Sequence, residues 1–277
     1  MDAKRMFETH ELLANVPGDV QELLVEAVSE AESLHSGLYR VGGCVRDLML
    51  DRAIMDWDLM VEGDGLQFGT GLARRLGTHV TTHARFGTAS LDLGGGGHVD
   101  VAGARSERYP APGALPVVRP GALEADFARR DFTINAMAIS LSGACPGTLV
   151  DPHSGSEDIR DGVIRILHVR SFIDDPTRLF RAIRFEQRLG FNMDVITLRS
   201  FHQAISGKAL DTLSDQRLSE QFRLLLEESD PLSAAVRLVA LGGEMDALDR
   251  EDHAVLTASF SRIASRLRNG SSSEVED

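Results

Sequence analysis

The sequence predicts an α/β half followed by an all-helical half. Two observations carry this reading. Between residues 38 and 104, short apolar runs of strand length recur, broken by glycines and interleaved with helical periods. From about residue 156 the strand patterns fade, and four segments of helical spacing follow, several closed by glycine. A length of 277 residues is enough for two modest domains.

Taken in order, residues 20–35 have apolar spacing that suits a helix, and "LYRV" at 38–41 reads as a short strand broken by Gly42 and Gly43. "CVRDLML" then starts a helix, and "WDLMVEG" is a second strand. "LQFGTGLARRLG" reads as a helix. "HVTTHA", "TASLDLG" and "HVDVAGA" read as three strands, the last two joined by a glycine-rich turn at 94–97. Residues 104–122 carry four prolines and no period, which predicts a loop. "LEADFARRDFTINAMAISL" is helical at its start and apolar at its end. The helical half comprises "DPTRLFRAIRFEQRLG", "VITLRSFHQAIS", "DQRLSEQFRLLLEES" and "PLSAAVRLVALGG". The expected divisions are an N-terminal helical segment at 1–35, a head at 36–145, a helical neck and short body at 146–267, and a disordered polar tail at 268–277.

Composition narrows the class. Hydrophobic content of 43% and charged content of 26% are ordinary for a globular protein. No apolar run approaches a membrane span, and the N-terminus lacks a signal layout, so a cytoplasmic protein is expected. Cys44 and Cys145 are too few for a disulfide framework or a zinc site and read as small buried hydrophobes. The net charge of −13 argues against broad nucleic-acid binding. Yet seven arginines fall between 160 and 188, enough for a local site that recognises phosphates and bases.

The chemistry is signalled by "RVGGCVRDLMLDRAIMDWDLMVEG" at 40–63. On a strand, Asp56 and Asp58 point the same way, about 7 Å apart. They repel unless a cation lies between them, and a hard divalent ion such as Mg²⁺ suits carboxylates plus substrate phosphates. Asp100 in "HVDVA" is a candidate third ligand. Alone, a D-x-D is as readily a solvent-facing strand edge, and a Gly-Gly pair as readily a tight turn. The functional reading of Gly42 and Gly43 is close backbone approach to phosphates at a helix N-terminus.

The ordered set "GGCVRD", "DWD", "RRDFTINAMA" at 129–138 and "DDPTRLFRAIRF" at 174–185 resembles the class II tRNA nucleotidyltransferases and bacterial poly(A) polymerases, within the DNA polymerase beta superfamily. The resemblance covers roughly residues 36–195. It implies a polymerase-beta-like head of mixed sheet and helices followed by an all-α neck and body. It assigns Asp56 and Asp58 to Mg²⁺, and Gly43 and Arg46 to the incoming triphosphate; Asp100, from its strand placement, is a further candidate catalytic carboxylate, and Gly42 a candidate nucleotide-binding residue beside Gly43. Arg130 is implied as a nucleotide contact, with Asp131 and Asn135 holding the ribose region or the local fold. Asp175 and Arg178 are implied to read the base of CTP or ATP, and Arg181 and Arg184 to contact phosphates or hold the helix. Spaced three apart, these four residues form a slowly turning stripe on one helical side, which could equally be i,i+3 salt bridging. The implied partners are the tRNA 3′ end and CTP or ATP, with no membrane and no obligate protein partner.

This chain departs from the family pattern in three ways. Asp174 stands where many relatives have Glu. The stretch from Arg105 to Arg130, which holds a flexible loop in the family, is slightly short. The chain stops at residue 277, where full enzymes continue. A partial CC-adding or A-adding enzyme is therefore as open as a full CCA-adding one. A poly(A) polymerase shares the motifs. A non-catalytic RNA-binding relative would show a broken D-x-D, and a small-molecule nucleotidyltransferase would lack the arginine-rich helix.

Overall fold

The computed structural model describes residues 6–8, 18–54, 56–94 and 97–243. The expected polar tail, the helical body beyond 243, most of the segment before 18, and the centre of the glycine-rich turn lie outside the described residues. The chain divides into two compact units: Met1–Arg108 with Pro116–Asp161, and Tyr109–Leu115 with Gly162–Asp277.

The first unit is built on a seven-stranded sheet. Helix α1 (Gly18–Ser33) precedes strand β1 (Leu38–Val41), helix α2 (Gly43–Met49), β2 (Trp57–Val61), α3 (Gly65–Leu76), β3 (Val80–His83), β4 (Thr88–Gly94) and β5 (Gly97–Gly103). A hairpin of β6 (Arg105–Arg108) and β7 (Val117–Pro120) follows, then α4 (Leu123–Ala128), a 3₁₀ turn (Thr133–Asn135), β8 (Ala138–Ser140), β9 (Leu149–Val150) and α5 (Gly155–Asp161). The sheet order is β3-β4-β5-β2-β1-β8-β9, antiparallel except for the central β5–β2 pair. A parallel pair needs a crossover. Here α3 lies within it, between β2 and β3, and returns across one sheet face.

Strand alternation sorts the residues to the two faces. Trp57, Leu59, Val61, Leu91, Val99 and Val101 point to the side where Leu23 and Ala27 of α1 and Phe68 and Leu72 of α3 close the core. Each such large apolar side chain contributes about 1.5–3 kcal/mol by leaving water. Asp58 and Asp100 therefore lie on the other face. Asp64 caps α3 by accepting from the Leu66 and Gln67 amides, and Gly77 ends that helix in the left-handed region.

The loop expected at 104–122 instead contains the β6–β7 hairpin. Alternating apolar residues were not there to signal it. Its register is supported by ladder bonds and by Glu107 between Arg105 and Arg129, and Pro120 sits at its end where no donor is required. Cys44 is buried as expected, whereas Cys145 is exposed, because it sits in the tight turn between β8 and β9.

The second unit is mostly helical: α6 (Ser171–Asp174), α7 (Thr177–Leu189), α8 (Val195–Ser206), a 3₁₀ turn (Ala209–Thr212), α9 (Asp215–Leu226) and α10 (Pro231–Gly243). Two short parallel strands, β10 (Val163–Ile164) and β11 (Asn192–Met193), add a sheet where only helix was expected. At two residues each they carry no readable period. Phe172 packs edge-on to Phe201, which joins α6 to α8, and Phe180 to Phe222, which joins α7 to α9. Tyr109–Leu115 belongs to this unit through a Gly113 amide that donates to the Asp174 carbonyl at 3.2 Å and a Gly113 carbonyl that accepts from Arg217. Among the described residues no helix is long and apolar enough to cross a membrane.

Candidate active site

Strand β1 delivers the chain to Gly42, whose φ of 73° and ψ of −135° suit only glycine. A β-carbon there would lie 3.0 Å from Arg130 Nη1 and 3.6 Å from Asp58 Oδ2. The missing side chain thus keeps open the space beside a carboxylate and a guanidinium. The helix that follows has seven residues, and its Val45 and Arg46 amides already donate to the Gly42 carbonyl.

Asp58 and Asp100 are register partners across the parallel β2–β5 pair. Asp58 is half-buried, and burial, then the charges of Asp100 and Asp56, push its carboxyl up to about 6 despite Arg130 and His98 pulling it down. Ser90 Oγ donates to Asp100 Oδ1 from the next strand. Asp56 precedes β2 and is exposed. Among the described residues, neither the Asp56 nor the Asp58 carboxylate forms an ion pair or a side-chain hydrogen bond, and no group of three His, Cys, Asp or Glu side chains converges as a preformed metal cage. Crowded carboxylate oxygens, one of them with its charged form disfavoured, are nevertheless a donor set that fits a hard divalent cation completed by substrate oxygens.

Arg46, Arg130, Asp131 and Asn135 form one network. Arg46 is buried, forks onto Asp47 at 2.9 Å through two nitrogens, and donates from Nη1 to Asn135 Oδ1 at 2.7 Å. Arg130 Nη1 donates to the Asn135 carbonyl at 3.0 Å. Asp131 Oδ1 accepts from Asn135 Nδ2 at 3.1 Å and from the Phe132 amide at 2.8 Å. Asn135 therefore ties the two arginines together, and the 3₁₀ turn that carries it positions them. Gly43 stands against Arg46, with a β-carbon there 3.4 Å from Nη2.

Sequence reasoning missed Asp126. Fully buried on α4, it accepts from Arg129 on Oδ2 (2.7 Å and 2.9 Å) and from Arg130 on Oδ1 (2.9 Å and 3.0 Å). The signal was present: an acid three and four residues before two arginines. Its double pairing aims Arg130 toward Gly42 and Asp58.

In the helical unit, Asp175, Arg178, Arg181 and Arg184 do not form one stripe. Asp175 lies before α7 in extended conformation, and its Oδ1 accepts from the Thr177 amide (3.2 Å), Thr177 Oγ1 (2.7 Å) and Arg217 Nη2 (2.9 Å). Arg178 is buried and donates to Ser171 Oγ at 2.7 Å and to the Tyr109 hydroxyl at 3.4 Å. Arg181 stacks on Phe185, 5.3 Å from the ring centroid. Arg184 donates to Glu228 Oε1 at 2.6 Å, an acid it shares with Arg188, so it braces α7. The cause is geometric: each three-residue step turns the helix 60° short of a full turn, so the side chains fan apart. His168, also unanticipated, lies near Arg178; burial and that charge hold it below the usual histidine range.

Residues 38–165 match the family described as the Poly A polymerase head domain. An A-adding tRNA nucleotidyltransferase of Geobacter sulfurreducens is 41% identical over 242 residues, covering 87% of this chain and 28% of that protein. One of Halalkalibacterium halodurans is 42% identical over 222 residues, covering 79% and 52%. A solved CCA-adding enzyme in an apo form aligns with a TM-score of 0.80 at 38% identity, over 87% of this chain and 57% of that one. The chain thus spans from 28% to 52% of the length of these two curated relatives.

Proposed function

The chain belongs to the class II tRNA nucleotidyltransferase family, and from that premise we propose that it transfers nucleotides from a nucleoside triphosphate to the 3′-hydroxyl of tRNA without a nucleic-acid template. The observation that carries this reading is the register-matched pair Asp58 and Asp100 under the side-chain-free Gly42. In the reaction the 3′-oxygen bonds to the α-phosphorus, the bond from that phosphorus to the bridging oxygen of the β-phosphate breaks, and pyrophosphate leaves. Asp56 and Asp58 would hold Mg²⁺, with Asp100 beside them. When bound, the ion stabilises charge on the attacking and leaving oxygens.

The protein's own groups do the rest. Arg130 places positive charge beside the carboxylates, held there by Asp126 and the Asn135 carbonyl. Gly42 leaves room for a phosphate that any side chain would exclude. Arg46 acts through Asn135, because its donors are engaged with Asn135 and Asp47. Asp175 offers acceptors and Arg178 donors suited to a base edge, as another base would.

The finer reading is transfer of AMP to a tRNA ending in CC, supported by the names of the two A-adding relatives at 41% and 42% identity. The test is extension of three tRNAs, one lacking CCA, one ending in C and one ending in CC, each with CTP, ATP or both. A single A on the CC end is expected. Addition of two C and a halt would replace AMP by CMP, and completed CCA would assign both. Long A tails on any RNA would favour poly(A) synthesis, and no addition anywhere would leave a non-catalytic RNA-binding relative.

A further inference from the structure

The 3₁₀ turn Thr133–Asn135 and the residues just after it touch three parts of the candidate site. Asn135 accepts from Arg46 on its side chain and from Arg130 on its carbonyl, and the Met137 carbonyl accepts from the Gly42 amide at 3.3 Å. Where this turn sits therefore decides where both guanidiniums and the glycine sit. Its own bonds are few. The Asn135 amide donates to the Phe132 carbonyl at 3.0 Å, and the Ala136 amide to the Thr133 carbonyl at 2.9 Å. A single turn of this kind is too short to hold its place unaided.

Helix α5 supplies the support. Its Asp158 is buried, and Oδ2 accepts from the hydroxyl of Thr133, also buried, at 2.6 Å. One turn earlier, Gly155 lies against the Thr133 carbonyl, where a β-carbon would collide with that oxygen. Asp151 pins the start of the helix, accepting from the Gly155 amide at 2.7 Å and from the Ser156 amide at 2.9 Å. Ser154, the residue before it, has a φ of 56°, in the left-handed region that a non-glycine residue occupies only where its surroundings impose it. A seven-residue helix gains little stability from its own bonds, yet a buried carboxylate and a side-chain-free glycine on it both meet Thr133.

We propose that Thr133 and Asp158 are positioning residues for nucleotide binding: through the 3₁₀ turn they set the place from which Asn135 holds Arg46 and Arg130. Both are buried, so they act through Asn135 and not by contact with the nucleotide. A hydroxyl bonded to a carboxylate is short, charge-assisted and directional, and it fixes a turn more closely than apolar packing does. All of these residues belong to the first unit. The identity of the nucleotide rests on the transferase reading.

The test is the Kd for ATP in Mg²⁺, measured by isothermal titration calorimetry on the full chain. The stoichiometry reports the folded fraction, so the affinity is read on folded molecules. Thr133→Val keeps the shape and deletes the donor, and should weaken ATP binding roughly tenfold. Asp158→Asn keeps an oxygen but not its charge, and should weaken it at least about threefold; it carries the same test if Thr133→Val does not fold. Thr133→Ser should bind within about twofold of wild type, because the hydroxyl returns. On an Asn135→Ala background, Thr133→Val or Asp158→Asn should change Kd by less than about twofold, since the residue they act through is gone. Thr197→Val deletes another buried threonine bond, to the Ile166 amide at 3.0 Å in the helical unit, and should lower Tm while leaving Kd alone. Wild-type affinity in Thr133→Val and Asp158→Asn would overturn the proposal, as would their full loss persisting on the Asn135→Ala background, or equal weakening by Thr197→Val. A wild-type chain that binds no ATP would overturn it too. If wild type bound ATP but added no nucleotide to tRNA, the transferase reading would fall, and the pattern of Kd values would still decide the role of Thr133 and Asp158.

Discussion

Asp58 and Asp100 stand opposite each other on neighbouring parallel strands, and their mutual charge adds to burial in lifting Asp58 from an ordinary 3.8 to about 6. Two acids placed this way work against the fold in the absence of a cation. The arrangement is the trade expected where a site is organised for a ligand.

The cost can be measured. Because the folded pKa of Asp58 lies above its unfolded value, the fold favours the protonated form. The carboxyl costs nothing well below 3.8, and its cost grows as pH rises through about 6. Asp58→Asn should therefore raise stability by up to about 3 kcal/mol above pH 7 in chelator, and by nothing below pH 3.8. Urea unfolding across pH checks this, and Mg²⁺ should raise the Tm of wild type more than that of the variant. Nucleotide addition should be lost in the variant. A pH-independent effect on stability would mean that Asp58 is not strained by its neighbours.

Gly42→Ala tests the space above that pair. At φ 73° the substitution costs about 1–3 kcal/mol in backbone strain. Its β-carbon would press on Arg130 Nη1 at 3.0 Å, so Arg130 must shift. That shift is a few tenths of an ångström, so together with the strain it should lower the rate, by less than the roughly 10²-fold that a 1 Å misplacement costs. Steady-state kinetics should show that loss together with a raised KM for the nucleotide. Near-normal kinetics would remove Gly42 from the site.

Asp126→Ala should be costly for a different reason. It removes the shared acceptor of Arg129 and Arg130 from a fully buried position. Breaking a buried pair by deleting one partner costs about 3–5 kcal/mol. Denaturant unfolding gives the stability, and kinetics on the folded fraction should show weaker nucleotide use because Arg130 is no longer aimed. A loss of stability with unchanged KM would make Asp126 purely structural.

Much of the head was readable because its strands alternate or run apolar between glycines: "LYRV" has the bounds expected, and the strand expected over "WDLMVEG" ends at Val61. The β6–β7 hairpin was not readable, because its stabilisation comes from Glu107 and two arginines rather than from period. The glycine pair and the D-x-D pointed to the candidate site, since neither residue type is needed by a core at that spacing, and the structure sets Gly42 beside Asp58 and Arg130. Asn135 as the bridge between Arg46 and Arg130 was invisible, because it depends on a 3₁₀ turn bringing residues 46 and 135 together. The slow turn expected of the three-residue spacing separates the side chains: in the helix Arg178 turns inward to Ser171 and Arg184 turns toward Glu228, the helix-holding alternative for that residue, while Asp175 lies before the helix.

That divergence sharpens the last prediction. Arg178 is held from Nη1 by Ser171 Oγ, and Asp175 is held on Oδ1 by Thr177 and Arg217. Two groups fixed this firmly can present donors and acceptors in one geometry. A site built to hydrogen-bond a substrate rejects an analogue that leaves its buried polar groups unpaired. Arg178→Ala should therefore lower the discrimination between ATP and CTP by at least about tenfold, a loss of roughly 1.4 kcal/mol in selectivity. Arg184→Ala should leave that ratio alone and lower stability through the loss of its bond to Glu228. The ratio of kcat/KM values is the right readout, because a partly unfolded sample loses both activities equally and the active fraction cancels. An unchanged ratio in Arg178→Ala would leave that arginine as a brace for the helical unit and move base selection to other residues.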